Sequence, residues 1–243
     1  MSAVHNGGEG AWVQGRTEML DRLRATLADP DARFKVPELQ VARTMGPSPV
    51  TDVSEDTDLS ILFGAMLDKV GGSHEILDDP EAVPGAVIRH FATLRKARKE
   101  DGLSFDRILA WAPDALGITG LGEALRQAHI DVVVPPDLHE VECRDEASHI
   151  AVGITGADAA MASTGTVVLG SGPGRSRSAS LLPLHHIVLV AMSRLHATIE
   201  AWMATLREEG RLDEALRTAS QLSLVTGPSK SADIELTLTL GVH

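Results

Sequence analysis

The sequence contains no tyrosine, and aromatic residues make up only 3% of its 243 positions. Its net charge is −12. A chain this acidic and this poor in rings lacks the basic surface and stacking side chains that nucleic-acid binders use, so nucleic acid is not expected as a partner. A single cysteine, Cys143, excludes an intramolecular disulfide and any four-cysteine iron–sulfur or zinc site built from this chain alone. No apolar run approaches a membrane span, because His and Arg interrupt the most hydrophobic region near residue 190. Residues 1–15 are glycine-rich and lack the apolar core of a signal peptide. These absences predict a soluble cytoplasmic protein with no membrane contact. Also missing are G-x-S-x-G, H-E-x-x-H and G-x-G-x-x-G, which removes the commonest hydrolase, zinc-protease and dinucleotide readings.

One further absence is local. The chain carries 34 Asp and Glu, roughly one residue in seven, yet none occurs over residues 159–199, where about six would be expected. Arg175, Arg177 and Arg194 do occur there. Such a gap lies either in a buried sheet or opposite an anion. Val167-Val168-Leu169 and Ile187-Val188-Leu189-Val190 are plain buried strands. The link between them, Gly170-Ser171-Gly172-Pro173-Gly174-Arg175-Ser176-Arg177, is too polar for that explanation and points to an anion site.

In chain order, residues 1–15 are expected to be disordered and 16–28 to form an amphipathic helix on Met19, Leu20, Leu23 and Leu27. Residues 34–58 read as an extended arm. The compact part, 58–243, opens with a helix bearing Leu59, Leu62, Phe63, Met66, Leu67 and Val70 that stops at Gly71-Gly72. A short strand at 74–77, a helix at 84–99, a strand at 105–111, a helix at 120–129 and a strand at 130–134 follow. Strand and helix alternating over short connections predicts an α/β fold with a parallel sheet and crossover helices. Further expectations are a helix over 137–150, strands near Gly153-Ile154, at 166–169 and at 187–192, a strong helix over 194–209 and a weaker one over 212–220.

Three glycine- and hydroxyl-bearing turns are candidate anion cradles, through exposed backbone N–H groups. They are Thr155-Gly156 at a strand end, where open α/β sheets bind ligands, Thr164-Gly165, and Gly172-Pro173-Gly174 with Arg175 alongside. The competing reading of each is an ordinary solvent turn. Gly227-Pro228-Ser229-Lys230-Ser231 is a fourth such loop, not a P-loop, in which Ser229 and Lys230 can meet a ligand and Asp233 and Glu235 can supply a base. His185 and His186 alternate faces on a strand and cannot both ligate one metal, which leaves His186 as a proton-transfer candidate. His139 and Cys143, four apart on a helix, are better read as a chance pairing than as metal ligands.

Taken in order, the blocks Gly153-Ile154-Thr155, Ala157-Asp158-Ala159-Ala160, Ala162, Thr164-Gly165-Thr166, Leu169, Ser180-Leu181-Leu182-Pro183, His186-Ile187, Gly227-Pro228-Ser229, Ala232-Asp233-Ile234-Glu235 and Gly241-Val242-His243 cover residues 150–243. They resemble the LUD domain, and the whole chain is similar to the lactate-utilization C (LutC/YkgG) family. The resemblance implies a Rossmann-like, mostly parallel sheet flanked by helices, akin to ribose-phosphate isomerases, CoA transferases and formyltetrahydrofolate cyclo-ligases, behind an N-terminal helical arm (1–57). It implies a part in oxidising L-lactate to pyruvate beside sister proteins that carry the iron–sulfur clusters, with no cofactor in this chain. It leaves open a homo-oligomer, a stand-alone enzyme on a CoA, folate or sugar phosphate, and a non-catalytic assembly or regulatory module. The chain departs from the family pattern at Ser163, where members often carry glutamate, and at His243, where they usually continue into a last strand. On this reading His186, Asp233 and Glu235 move protons. Thr155, Gly156, Thr164, Gly165, Gly172, Gly174, Arg175, Ser229 and Lys230 hold a small carboxylate or phosphate-bearing ligand.

Overall fold

A computed structural model describes residues 8–28, 53–97, 103–135, 145, 147–232 and 238–240. The chain falls into two units, Met1–Ser48 and Pro49–His243. The first contributes helix α1 (Gly8–Ala28), which begins inside the stretch expected to be disordered. Ala11, Trp12, Val13 and Gln14 form a run without proline that allows the helix to start early. Most of the expected arm lies outside the described residues.

In the second unit, α2 (Leu59–Val70) starts where Asp58 accepts hydrogen bonds from the Ser60 and Ile61 N–H groups, and it closes at Gly71. The strand expected at 74–77 does not form. His74 is bonded to Asp68, and Glu75 accepts from Arg89 and His90, so side chains tie this segment to the helices on either side of it. After a 3-10 turn, α3 (Val83–Ala97), β1 (Ser104–Ala110), α4 (Pro113–Leu116), α5 (Leu121–Gln127) and β2 (Asp131–Val133) follow the expected alternation. The helix expected over 137–150 lies largely outside the described residues, and Ile150 already belongs to β3 (Ile150–Gly156). Then come β4 (Ala159–Met161), β5 (Thr166–Ser171), α6 (Ser178–Leu181), β6 (His185–Leu189), β7 (Leu195–His196), α7 (Ile199–Glu208), α8 (Leu212–Thr218), β8 (Gln221–Thr226), β9 (Lys230–Ala232) and β10 (Leu238–Leu240). The helix expected from Arg194 starts only at Ile199. Leu195 and His196 pair in a sheet with Ala160 and Met161, and the Thr198 hydroxyl caps the helix on the Ala201 N–H.

The first sheet, in the order β2-β1-β3-β6, is parallel throughout. Helices α3 and α5 cover one face, where Val87, Phe91, Leu121 and Leu125 pack with Ile108, Val152 and Ile154. Each such fully buried side chain contributes roughly 1.5–3 kcal/mol. The other face meets a second sheet that the sequence did not announce. Its order is β7-β4-β5-β8, antiparallel except between β4 and β7. Leu109 and Trp111 of the first sheet pack with Ala160, Val167 and Leu169 of the second. Trp202 and Leu206 of α7 close the far side over Met161 and Val168. Among the described residues no helix is long and apolar enough to cross a membrane.

Candidate functional site

The chain passes from one sheet to the other at Ala157-Asp158, just beyond the carboxyl end of β3. Asp158 anchors this crossing: its carboxylate accepts the Gly170 N–H at 2.6 Å and the Arg175 guanidinium. Arg175 also lies over the Trp111 ring, 4.4 Å from its centroid. The Trp111 indole donates to the Ser176 carbonyl at 3.1 Å, and the Ala112 N–H donates to the Gly174 carbonyl at 2.7 Å. The loop after β5 is thus fastened across the end of β1 and beside the end of β3. Thr155 and Gly156, expected in an exposed turn, are instead the last two residues of β3, buried and paired with Val188 and Leu189. Gly172-Pro173-Gly174 lies beside them at the carboxyl edge of the parallel sheet, the place where open α/β sheets bind ligands.

A hollow of about 420 Å³ opens on this loop. Ser171, Gly172, Arg175, Ser176 and Arg177 form one wall, and Ser220 and Gln221, at the start of β8, form the other. The antiparallel pairing of β5 with β8 brings the walls together, and the Ser220 N–H seals them on the Ser171 carbonyl at 2.9 Å. Among the described residues no carboxylate, histidine or cysteine lines the hollow. Arg177 donates to the neutral Gln221 amide oxygen, so among the described residues its positive charge has no acidic partner. The chemistry this lining offers is capture of an anion by guanidinium and hydroxyl donors. The donors are side chains more than backbone: the Gly172 N–H is already bonded to the Arg175 carbonyl in a tight turn, at 3.2 Å.

The third predicted turn is elsewhere. Thr164-Gly165 lies at the opposite end of β5, roughly 17 Å of strand away. Both N–H groups are taken by the Met161 carbonyl. Gly165 sits at φ +66°, and a Cβ there would come within 2.8 Å of the Leu67 backbone nitrogen, so α2 is seated directly on the turn. Gly227 meets the same helix at Val70, which puts the start of the Gly227-Pro228-Ser229-Lys230 loop beside Thr164-Gly165. Three hydroxyls cross this end in a chain, Thr164 to Thr166 and Thr166 to Thr226, each at 2.7 Å. Replacing the buried Thr166 with valine removes both bonds and is expected to cost about 1–2 kcal/mol by urea denaturation.

His186 lines neither the hollow nor that turn. It stands beside Gly153 on the face of the first sheet that α6 covers, hydrogen-bonded to Thr155 at 2.9 Å, and burial lowers its pKa from 6.5 to about 4. It is therefore neutral and a weak base near pH 7. The Lys230 backbone pairs in β9, while Ser229 is in the loop before it. Asp233, Glu235, His139 and Cys143 lie outside the described residues, and among the described residues no group of three or more His, Cys, Asp and Glu could hold a metal ion. Of the residues lining the hollow, sequence reasoning singles out Gly172 and Arg175; Gly174 is not among them, and Arg177, Ser171, Ser176, Ser220 and Gln221 are not picked as site residues. The acid-free stretch contained Arg177, Ser171 and Ser176. Ser220 and Gln221 carried no local signal, since only strand pairing delivers them.

Among curated relatives, lactate utilization protein C of Shouchella clausii is 36% identical over 140 residues, 56% of this chain and 57% of that protein. The proteins of the same name from Halalkalibacterium halodurans and Bacillus subtilis are 42% and 38% identical over 101 and 92 residues, covering 41% and 38% of this chain and 42% and 38% of theirs. The chain thus spans about half the length of the curated relatives it matches. A solved structure of a DUF162 family protein from Deinococcus radiodurans aligns with a TM-score of 0.49 at 17% identity, over 69% of this chain and 86% of that one. The LUD domain model matches residues 2–243, nearly the whole sequence. On that match the chain belongs to the LUD domain family.

Proposed function

We propose that this protein is a component of a cytoplasmic system that oxidises L-lactate to pyruvate, and that it works beside iron–sulfur sister proteins by binding an anionic ligand in the cleft between β5 and β8. The names of its relatives support the pathway. The observation that carries the binding role is Arg177, which among the described residues has no acidic partner and stands on a serine-lined cleft beside Arg175, itself already paired with Asp158. That lining also favours binding over acid–base chemistry at this place, because it holds no group that titrates near neutrality.

Deleting the gene is expected to abolish growth on L-lactate, and a copy carrying Arg177→Gln to restore it only partly. Undiminished growth of the deletion strain would reject the pathway, and full rescue by the Arg177 variant would reject the cleft. An assembly role is the second reading, favoured by α1, whose Met19, Leu20 and Leu23 are exposed at 65%, 38% and 48%. It expects rescue to depend on residues 8–28 and not on Arg177.

A further inference from the structure

We infer that β6, the outermost strand of the parallel sheet, pairs antiparallel with β6 of a second copy of this chain about a two-fold axis at Ile187. Two four-stranded sheets then join into one of eight. The inference does not depend on what the cleft binds. In the order β2-β1-β3-β6, β6 is an edge, and among the described residues its only strand partner is β3. Both strands are apolar, but they are covered differently. Every residue of β3 is buried, whereas Ile187, Val188 and Leu189 are only half-buried. A free edge presents a row of backbone N–H and C=O groups to any strand that can reach it.

Folded proteins usually guard such an edge with lysine, proline, a bulge or a very short strand. The opposite edge of this sheet is guarded: β2 has three residues, opens on the exposed Asp131 and is followed in sequence by Pro135-Pro136. β6 carries none of these devices. It runs along β3 in unbroken register, and residues 178–193 include no Lys, Arg, Asp or Glu. The one proline there, Pro183, precedes the strand and is buried. Exposed apolar side chains flank the strand instead, Leu181, Leu182 and Leu184 before it and Met192 after it. Scattered singly such residues mean little, but together along one uncharged edge they mark a surface that meets another chain.

Two features point to a second copy. The first is symmetry. In a two-fold pair each residue meets the position equally far from the axis on the other copy, so the surface must complement itself. With the axis at Ile187, Val188 lies opposite His186 of the partner subunit, Leu189 opposite the partner's His185 and Val190 opposite the partner's Leu184. The exposed Leu182 and Met192 fall equally far from Ile187 on its two sides. The second feature is charge. Each copy carries −12, so two copies repel over most of their surface, and like charges opposite one another on paired strands are destabilising. β6 lies inside the acid-free stretch 159–199, where two such chains can touch without bringing carboxylates together.

Sedimentation velocity of the full-length protein tests this. Wild type is expected to sediment at twice the chain mass. Leu184→Lys combined with Met192→Lys places cations at both ends of the edge and should weaken association tenfold or more. Both residues are exposed, so the double variant should keep the wild-type circular dichroism spectrum. Leu216→Lys, similarly exposed but on α8, should remain dimeric. Ile187→Cys in a Cys143→Ser background gives a second readout. Across the axis the two Cα atoms would lie about 4.5–5.5 Å apart, within the span of a disulfide. Mild oxidation should then yield a covalent dimer, and Leu216→Cys in the same background should yield none. A monomeric wild type would overturn the inference. So would a dimer that survives the Leu184 and Met192 substitutions, one that Leu216→Lys dissociates equally, or an Ile187→Cys protein that oxidation leaves uncrosslinked.

Discussion

Replacing Gly153 with alanine is expected to destabilise the protein by about 3 kcal/mol or more, the upper end for overpacking a core. Gly153 is the fourth residue of β3, paired to Leu109 on one side and His186 on the other. Helix α6 crosses directly over it. An added Cβ would overlap the Ala179 carbonyl oxygen and come within 2.8 Å of the Pro183 ring. Neither neighbour is a flexible side-chain tip, and β3, an inner strand with ladders on both edges, cannot shift. Gly156, three residues on, is the internal control: a Cβ there makes ordinary contacts at 3.5 Å and 3.6 Å with Ala115 and Trp111. Gly156→Ala should therefore cost less than about 1 kcal/mol. Urea midpoints of the two variants, measured side by side, check the argument. Equal losses would mean that α6 does not sit on Gly153. Because α6 follows the cleft loop without a break, Gly153→Ala is also expected to disturb the position of Arg177.

The second large effect is a dependence of stability on pH. His186 ionises with difficulty in the fold because burial strips water from its charged form, which lowers its pKa from 6.5 to about 4. The unfolded chain, with the ordinary value, binds the proton more readily. Acid therefore favours unfolding, and the contribution to stability is complete above pH 6.5 and lost as pH falls towards 4. At 1.36 kcal/mol per pH unit, that interval amounts to roughly 3 kcal/mol. His196, lowered by the same cause, adds a smaller slope of the same sign. Denaturation of wild type and His186→Gln at pH 4, 5, 6 and 7 separates His186 from the carboxylates. The variant, which can still bond Thr155, should lose most of the decline between pH 6.5 and 4. A parallel decline in both proteins would show that His186 titrates normally.

Much of the fold was legible because its signals are local. The apolar stripe of α2, its Gly71 stop and the apolar runs of β1 and β3 lie within a few residues of what they define, and alternating strands and helices imply parallel pairing. Contacts made at a distance were not legible. β4 is a three-residue strand among alanines, too short to show a period, and it exists because β5 and β7 pair with it. Leu195 and His196 continue the apolar spacing of the following helix, yet the second sheet claims them for β7. The site divides in the same way. Glycines and arginines near one another in sequence marked the 172–177 loop, whereas its opposite wall arrives only through the pairing of Ser171 with Gln221. The three predicted turns looked alike in composition. What separates them is that β5 runs between two of them and sends them to opposite ends.

That same strand sets an order of assembly. β5 finds its hairpin partner β4 almost at once, but its other edge waits for β8, paired from Thr166 to Thr226. A chain emerging from the ribosome has all four strands of the parallel layer once Leu189 is made, while the outer edge of β5 stays bare, the kind of surface that invites mispairing. The wall of Ser220 and Gln221 is delivered last. If the cleft binds an anion as proposed, a nascent or clipped chain lacking that wall would hold a folded nucleus with half a cleft, and only the finished chain would gain stability from the ligand.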